Sequence, residues 1–372
     1  MKTKTRNLFR LICFVIILTL LYSAVSYLFI PKDNEWKNFR GLYAEAMDSL
    51  DIIYFGGSVC IVSWMPYEVW HKSGLTSYAL GKSNFPSFAY KSVINEALSY
   101  QSPQLLIIDA RPFVYTYTGL HDEIISTIPL IRCLKTYSPQ RYLISEICYS
   151  IYSDEVEEGK REATSETFAS MFFDIVRYHG NWSSLDSSFF PNAENFLPYN
   201  YSKGFLKVTR HEALTLCNNS GIVSSQAVNS RAESDLTTLL DYLDSIGMNA
   251  LFVVAPYDEC ANEKAQYNYL SNIIASRGQR FVDFNDFCDE IGIDGDTDFY
   301  NSNHLSVFGA EKYTSYLSAY IKENYSIHSV HSDAVIGSWE RGYPLWNEHL
   351  TALKGAVAAL IAEEDKGDSS NE

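Results

Sequence analysis

The hydrophobic pattern divides the chain into one unbroken apolar block at the start and a series of short apolar runs separated by amphipathic stretches. Leu11 to Ile30, LICFVIILTLLYSAVSYLFI, carries no charged residue. A helix of that length, at about 1.5 Å per residue, matches the roughly 30 Å hydrocarbon core of a bilayer. Lys2, Lys4, Arg6 and Arg10 precede it, and Pro31, Lys32 and Asp33 close it. The basic flank predicts a cytoplasmic N-terminus. A cleaved signal peptide is the competing reading, but such segments have apolar regions of about 7–15 residues and a small-residue cleavage site. The expectation is a cytoplasmic tip and transmembrane anchor over residues 1–31, with the rest of the chain outside the cytoplasm.

Beyond the anchor the runs are short and regular. After a charged, aromatic stretch from Lys32 to Leu50, DIIYFGGS reads as a buried strand ending in a tight Gly56-Gly57 turn. Leu75 to Gly81 predicts a second strand, Pro86 to Tyr100 a helix, and Gln104 to Ala110 a strand covered on both faces. Ala232 to Ile246 shows a helical stripe of Leu236, Leu239, Leu240 and Leu243, with Gly247 as its stop. NALFVVAP predicts a strand, Asn262 to Ser276 a helix, QRFVDFND a strand and Val307 to Ile321 a helix. This alternation predicts an α/β fold, a three-layer sandwich with a mainly parallel sheet.

Two regions break the rhythm. From about 115 to 230, a helical stretch around Glu146 to Tyr178 mixes with Ser/Asn/Pro-rich loops such as NWSSLDSSFFPNAENFLPYN. This is read as a large mid-chain insertion, a lid or partner surface rather than an independent core. From 328 to 372 the chain predicts a Trp/Pro-bearing loop, a helix from Leu350 to Ala362 and a flexible polar tail. The main domain is therefore 32–327.

Composition narrows the function classes. With 47% hydrophobic and 20% charged residues the chain is globular. Its 45 acidic against 29 basic residues give a net charge of -16, and no basic footprint for nucleic acid lies beyond the first ten residues. The 27 tyrosines suit a groove or partner face. Seven cysteines form no C-x-x-C pair, and a domain of this size can do without disulfides, so free thiols are expected. His71, His121, His179, His211, His328, His331 and His349 lack H-x-x-x-H or H-E-x-x-H spacing, so no metal is expected. Gly56-Gly57-Ser58-Val59 lacks the other glycines of a dinucleotide fingerprint and the G-K-[ST] of a phosphate loop, so no cofactor is expected.

In an open parallel sheet, ligands gather beyond the C-terminal strand ends. Two features should meet there. Ser58 follows the first core strand, on the first turn of the next helix. His304 lies in the loop before the last core helix, which Ser306 caps and Gly309-Ala310 lets pack closely. A hydroxyl and an imidazole so placed could act as nucleophile and general base. A Gly-Gly-Ser turn alone is commonly just a turn, and a lone loop histidine is usually inert; their pairing in one α/β domain raises the value of both. Cys60, two residues past Ser58, is read as packing rather than as a thiol nucleophile.

These residues resemble the SGNH (GDSL-like) hydrolase superfamily. The likeness is to its membrane-anchored envelope branch, which includes the teichoic-acid D-alanine-transfer protein and polysaccharide O-acetyltransferases. FGGSVC, residues 55–60, stands at the nucleophile turn. Asn301-Ser302-Asn303-His304 followed by LSVFGAEKYTSYL is similar to the terminal Asp-x-x-His motif and its helix, and SYALGKSNFP, residues 77–86, to the second-strand loop. The resemblance covers about 50–113 and 232–323. It implies a flavodoxin-like SGNH fold, with Ser58 as nucleophile, His304 as base and Asn301 orienting it. Gly57, Gly81, Asn84 and Arg111 would be oxyanion or substrate contacts. Two departures stand out. Asn301 replaces the family Asp, for which Asp298 or Asp296 could substitute, and IIDARPF replaces Gly-x-Asn-Asp. The activity implied is an extracytoplasmic serine-dependent acyl-ester transferase or esterase on an envelope polysaccharide or lipid-linked glycopolymer, working with a multi-pass membrane acyltransferase. The alternative is a non-catalytic glycan-binding or scaffold subunit of such a system.

Overall fold

The computed structural model describes residues 2–186, 189 and 202–368. Helix α1 (Lys2–Phe29) carries the apolar block; it is the one helix among the described residues long and apolar enough to cross a membrane. Helix α2 (Asn34–Ala44) follows at once, capped by Asp33, whose side chain accepts from the Trp36 N–H. No element was expected there. Trp36, Phe39 and Leu42 are buried at spacings of three, one helical face, while Glu35 and Lys37 occupy the other.

The core sheet has five parallel strands in the order β2-β1-β3-β4-β5: β1 (Ile52–Gly56), β2 (Ser77–Gly81), β3 (Leu105–Asp109), β4 (Ala250–Val254) and β5 (Arg280–Asp283). Every residue of β1 to β4 is buried, so helices cover both faces and continuous apolar runs replace alternation. This strand order reverses direction between β1 and β3, the switch point beside which a doubly wound sheet forms its ligand crevice.

The intervening helices are α3 (Ser58–Ser63), α4 (Pro66–Ser73), α5 (Tyr90–Leu98) and α6 (Pro112–Tyr115). Between α6 and the next core helix come α7 (Glu123–Cys133), α8 (Pro139–Glu157), α9 (Phe168–Phe172) and α10 (Asp174–Tyr178). The core then resumes with α11 (Ser230–Ile246), α12 (Ala261–Ser276), α13 (Cys288–Ile291), α14 (Val307–Asn324) and α15 (Asp333–Asp368). Gly247 ends α11 with a left-handed φ of 63°, as its position predicts.

Two expectations need correction. The helical stretch at Glu146–Tyr178 is instead α8, starting at a Ser138 cap and Pro139, then a loop and two short helices. Much of NWSSLDSSFFPNAENFLPYN lies outside the described residues. Within the insertion, Ile124, Ile128, Leu130, Ile131, Ile144 and Ile151 join the main hydrophobic cluster rather than forming a core of their own, with α7 on α2 and α8 on α5. Finally, the Trp/Pro segment of the tail is helical and continues unbroken through α15, with Pro344 inside it. A proline there removes one backbone hydrogen bond. Burial of Trp339 and Trp346 against Tyr67 of α4 offsets that loss, and the Trp346 indole N–H donates to Glu68 at 2.9 Å. Local sequence shows the proline but not the aromatic partner surface.

The free edge of β2 is covered. The Ala79 N–H donates to the Lys203 carbonyl at 3.0 Å, and the Asn38 amide donates to the Ala79 carbonyl at 2.9 Å. Gly204, at a φ of 95°, comes so close that a Cβ there would lie 2.0 Å from the Ala79 oxygen.

Candidate active site

Ser58 is the first residue of α3, immediately after the glycine turn that ends β1. Gly56 is required by crowding, since a Cβ there would meet Asp109 Cβ at 2.4 Å. Opposite it, β6 (Phe299–Asn301) and β7 (His304–Leu305) form a small antiparallel hairpin in which Asn301 pairs directly with His304. Ser306 caps α14 through its hydroxyl, which accepts from the Phe308 N–H at 3.2 Å. Gly309 lets that helix approach the hairpin base, where a Cβ would lie 2.4 Å from the Asp298 carbonyl.

These placements bring together side chains 246 residues apart: Ser58 Oγ lies 2.6 Å from His304 Nε2. His304 Nδ1 lies 2.9 Å from Asn301 Oδ1. The same oxygen accepts the Asn303 backbone N–H at 3.0 Å, and a backbone N–H can only donate, so the amide oxygen, not its NH₂, faces the ring. Nδ1 therefore carries the proton and donates to Asn301, leaving the Nε2 lone pair for the serine hydroxyl. This is the tautomer a general base needs.

Burial, reinforced by the nearby Arg111 charge, pulls the His304 pKa down to about 3. The imidazole is thus neutral and available over a wide pH range, but weakly basic. Neither proposed substitute carboxylate reaches it. Asp298 is fully buried and spent on structure, accepting from the Asp294 N–H at 2.8 Å, Thr297 Oγ1 at 3.0 Å and Lys312 Nζ at 2.7 Å. Asp296 is exposed, and its carbonyl contacts His211.

The expected oxyanion donors are also redistributed. The Gly81 N–H donates to Asn38 Oδ1 at 3.3 Å, so the α2 amide occupies it. Gly81 is needed for close packing instead, because a Cβ would sit 2.5 Å from the Gly56 carbonyl and 2.6 Å from Cys60 Sγ. The Gly57 N–H donates to Asp109 Oδ2 at 3.3 Å. The Ser58 N–H opens α3 and so has no acceptor within the helix. Asn84 sits exposed in the turn after β2 with a left-handed φ of 51°, and no hydrogen bond joins it to Ser58 or His304 among the described residues.

The Arg111 guanidinium is engaged with the hairpin. Its Nη1 donates to the Asn303 carbonyl at 2.9 Å and its Nη2 to Asn303 Oδ1 at 3.1 Å, over the Tyr257 ring at 4.1 Å. With Asp258, whose N–H donates to the Ser302 carbonyl at 2.9 Å, it clamps the hairpin tip. Cys60 is fully buried, and burial pushes its thiol well above the ordinary value, so it packs rather than reacts.

Three residues of the site escaped sequence reasoning. Tyr300 stacks on the His304 ring, centroids 5.1 Å apart and planes within 8°, and its place beside Asn301 was the available clue. Asp109 lies beneath the nucleophile turn, its carboxyl raised by burial against the lowering effect of Arg111. Asn38 had no signal, because α2 itself was missed. A cavity of about 470 Å³ lined by Trp70, His71, Thr76, Ser329 and His331 lies at the opposite, N-terminal edge of the sheet and belongs to no part of this site. No metal-ligating cluster occurs among the described residues.

No protein-family model matches the chain, and no curated protein matches it.

Proposed function

We propose that this protein is an extracytoplasmic serine-dependent acyl-ester transferase or esterase acting on a cell-envelope glycopolymer. The observation that carries the reading is the Ser58–His304–Asn301 line, with contacts of 2.6 and 2.9 Å and the tautomer fixed by Asn303. Ser58 Oγ attacks the acyl carbonyl as its proton passes to His304 Nε2, and Asn301 holds Nδ1–H. The Ser58 N–H faces the developing oxyanion. Collapse breaks the ester bond, and the departing alkoxide takes the proton from Nε2. A sugar hydroxyl or water then gives its proton to Nε2 and attacks the acyl-Ser58 carbonyl; the acyl–Oγ bond breaks and Ser58 Oγ takes that proton back from Nε2.

The location follows from α1 read as a single-pass anchor in the cell membrane, with Lys2, Lys4, Arg6 and Arg10 holding the N-terminus in the cytoplasm. A tethered domain suits a polymeric or lipid-linked substrate and an acyl donor delivered by a multi-pass membrane acyltransferase. The strand order, the serine after β1 and the histidine before the last core helix support an SGNH-like fold.

A second reading is favoured by the occupied Gly81 and Gly57 N–H groups and the missing carboxylate on His304: a non-catalytic glycan-binding or scaffold subunit. Intact-mass labelling of the full chain with a fluorophosphonate separates the two. The transferase reading expects one adduct, lost in Ser58→Ala and at least about a hundredfold slower in His304→Ala. Absence of any adduct between about pH 5 and 9 would decide for the scaffold.

A further inference from the structure

The insertion meets α1 where α1 leaves its exposed stretch. From Lys4 to Leu21 the helix is exposed along nearly its whole length, and from Tyr22 to Ile30 it is mostly covered. Lys4, Arg6 and Arg10 belong to the cytoplasmic flank, so the exposed apolar part, Leu11 to Leu21, is about 17 Å long at about 1.5 Å per residue, roughly half of one hydrocarbon thickness. Residues that touch Tyr22 and Ser23 therefore stand in the outer half of the apolar block, which ends at Ile30. Two side chains of the insertion do so. Phe173 packs edge-on against Tyr22 at 6.1 Å, and the Tyr137 hydroxyl lies 3.0 Å from Ser23 Oγ. One helical stretch further on, Asn181 donates to the Phe29 carbonyl at 2.9 Å.

From this junction an aromatic path runs outward: Phe173 against Phe172, Phe172 against Phe168 and Tyr142, and Phe168 against Tyr149. Much of it faces outward. Tyr137, Tyr142, Leu143, Ile147, Phe173 and Trp182 are exposed, and Trp182, next to the Asn181 that grips α1, is 70% exposed. The frame beneath is rigid, because Arg141 and Asp174 form a fully buried ion pair at 2.6 Å that ties α8 to α10. Exposed aromatic and aliphatic side chains in contact with the outer half of a membrane-spanning helix, from Tyr22 to Phe29, have the chemistry of an interfacial belt: apolar bodies in the acyl region, hydroxyl and indole groups toward the headgroups.

We propose that the insertion is a membrane-seating surface, in which Trp182, Phe173 and their neighbours enter the outer bilayer interface beside α1. This fixes the domain's orientation on lipid and holds it against the membrane instead of letting it swing on a flexible stalk. The inference rests on α1 spanning the bilayer, so its test carries a separate reporter for that reading.

The full chain is reconstituted in phosphatidylcholine nanodiscs with or without lipids brominated on the acyl chain near the headgroup. Trp182 is the exposed member of six tryptophans, so the bromolipid-quenched share of emission should fall sharply in Trp182→Phe. The spanning reporter is Phe14→Trp in the Trp182→Phe background. Its emission should be quenched most by bromines placed deep in the chain. If that reporter is quenched while wild type and Trp182→Phe respond equally, the seating surface is refuted and the anchor stands. If the Phe14→Trp reporter is not quenched, the spanning reading fails and takes the inference with it. Quenching at Trp182 that disappears only when a second membrane protein is present would mean a protein partner, not lipid, covers this face, and would also overturn it.

Discussion

Replacing Asn301 with Asp tests the chemistry of the site most directly. Asn301 Oδ1 lies 2.9 Å from His304 Nδ1, so the introduced carboxylate would bring a full negative charge to a position now holding an amide dipole. At about 4 Å between charge centres and an effective dielectric near 20, the attraction to an imidazolium is about 4 kcal/mol. The ring is partly solvent-exposed, and half that value, about 2 kcal/mol, is the realistic share. This corresponds to roughly 1.5 pKa units, lifting His304 from about 3 toward the middle of the ordinary carboxylate range. The same stabilisation applies to the imidazolium formed as Ser58 is deprotonated, so fluorophosphonate labelling should accelerate about 10- to 30-fold. The ceiling is the roughly four orders of magnitude lost in the opposite change in a serine protease triad. The assay is the second-order labelling rate by intact mass across about pH 4 to 9. Wild type should be flat through the ordinary histidine range, because His304 is already neutral there; the variant should be faster and show an acid limb nearer pH 5. A variant no faster than wild type, with an unchanged thermal midpoint, would refute the relay. So would a wild-type acid limb near the ordinary histidine pKa.

Three further outcomes follow from the same structure. Arg111→Met frees the hairpin tip and removes the second cause of the low His304 pKa; labelling should slow about tenfold at neutral pH, and its acid limb should move up. An unchanged pH profile would contradict that electrostatic role. Gly81→Ala drives a Cβ into the Gly56 carbonyl and Cys60 and should cost about 2–4 kcal/mol, read as a loss of roughly 5–10 °C in thermal midpoint. Glu259 is buried beside Asp283, and burial followed by that neighbour raises its carboxyl well above the ordinary value. The folded state therefore holds a proton that the unfolded chain releases, so stability is greatest below the ordinary glutamate pKa and falls as pH rises from there. Glu259→Gln should be neutral near pH 4 and stabilising at pH 8 to 9 in thermal melts; an equal effect at both would sink this account.

The chain alone determined a good deal. Short apolar runs bounded by glycine or proline turns are enough to specify buried parallel strands, because a strand covered on both faces must be apolar at nearly every position; β1 to β4 fall where those runs lie. Gly247 and Ser306 mark helix ends through backbone geometry and a hydroxyl cap, both local effects. The placement of Ser58 after β1 and of Asn301 and His304 around one turn is likewise local. What local sequence could not decide is which donors and charges remain unspent after folding. Gly81, Arg111 and Asp298 each have the right chemistry for the site, yet Asn38 takes the N–H of the first, Asn303 the guanidinium of the second, and Lys312 and the Asp294 backbone the carboxylate of the third. Asn38, Asn303 and Lys312 lie on elements or turns remote in sequence from the groups they engage, and α15 shows the same limit, since its tryptophans pack on the aromatic surface of α4 and on Phe205 despite Pro344. Residue type and spacing decide what a side chain can do; tertiary contacts decide whether it is still free to do it.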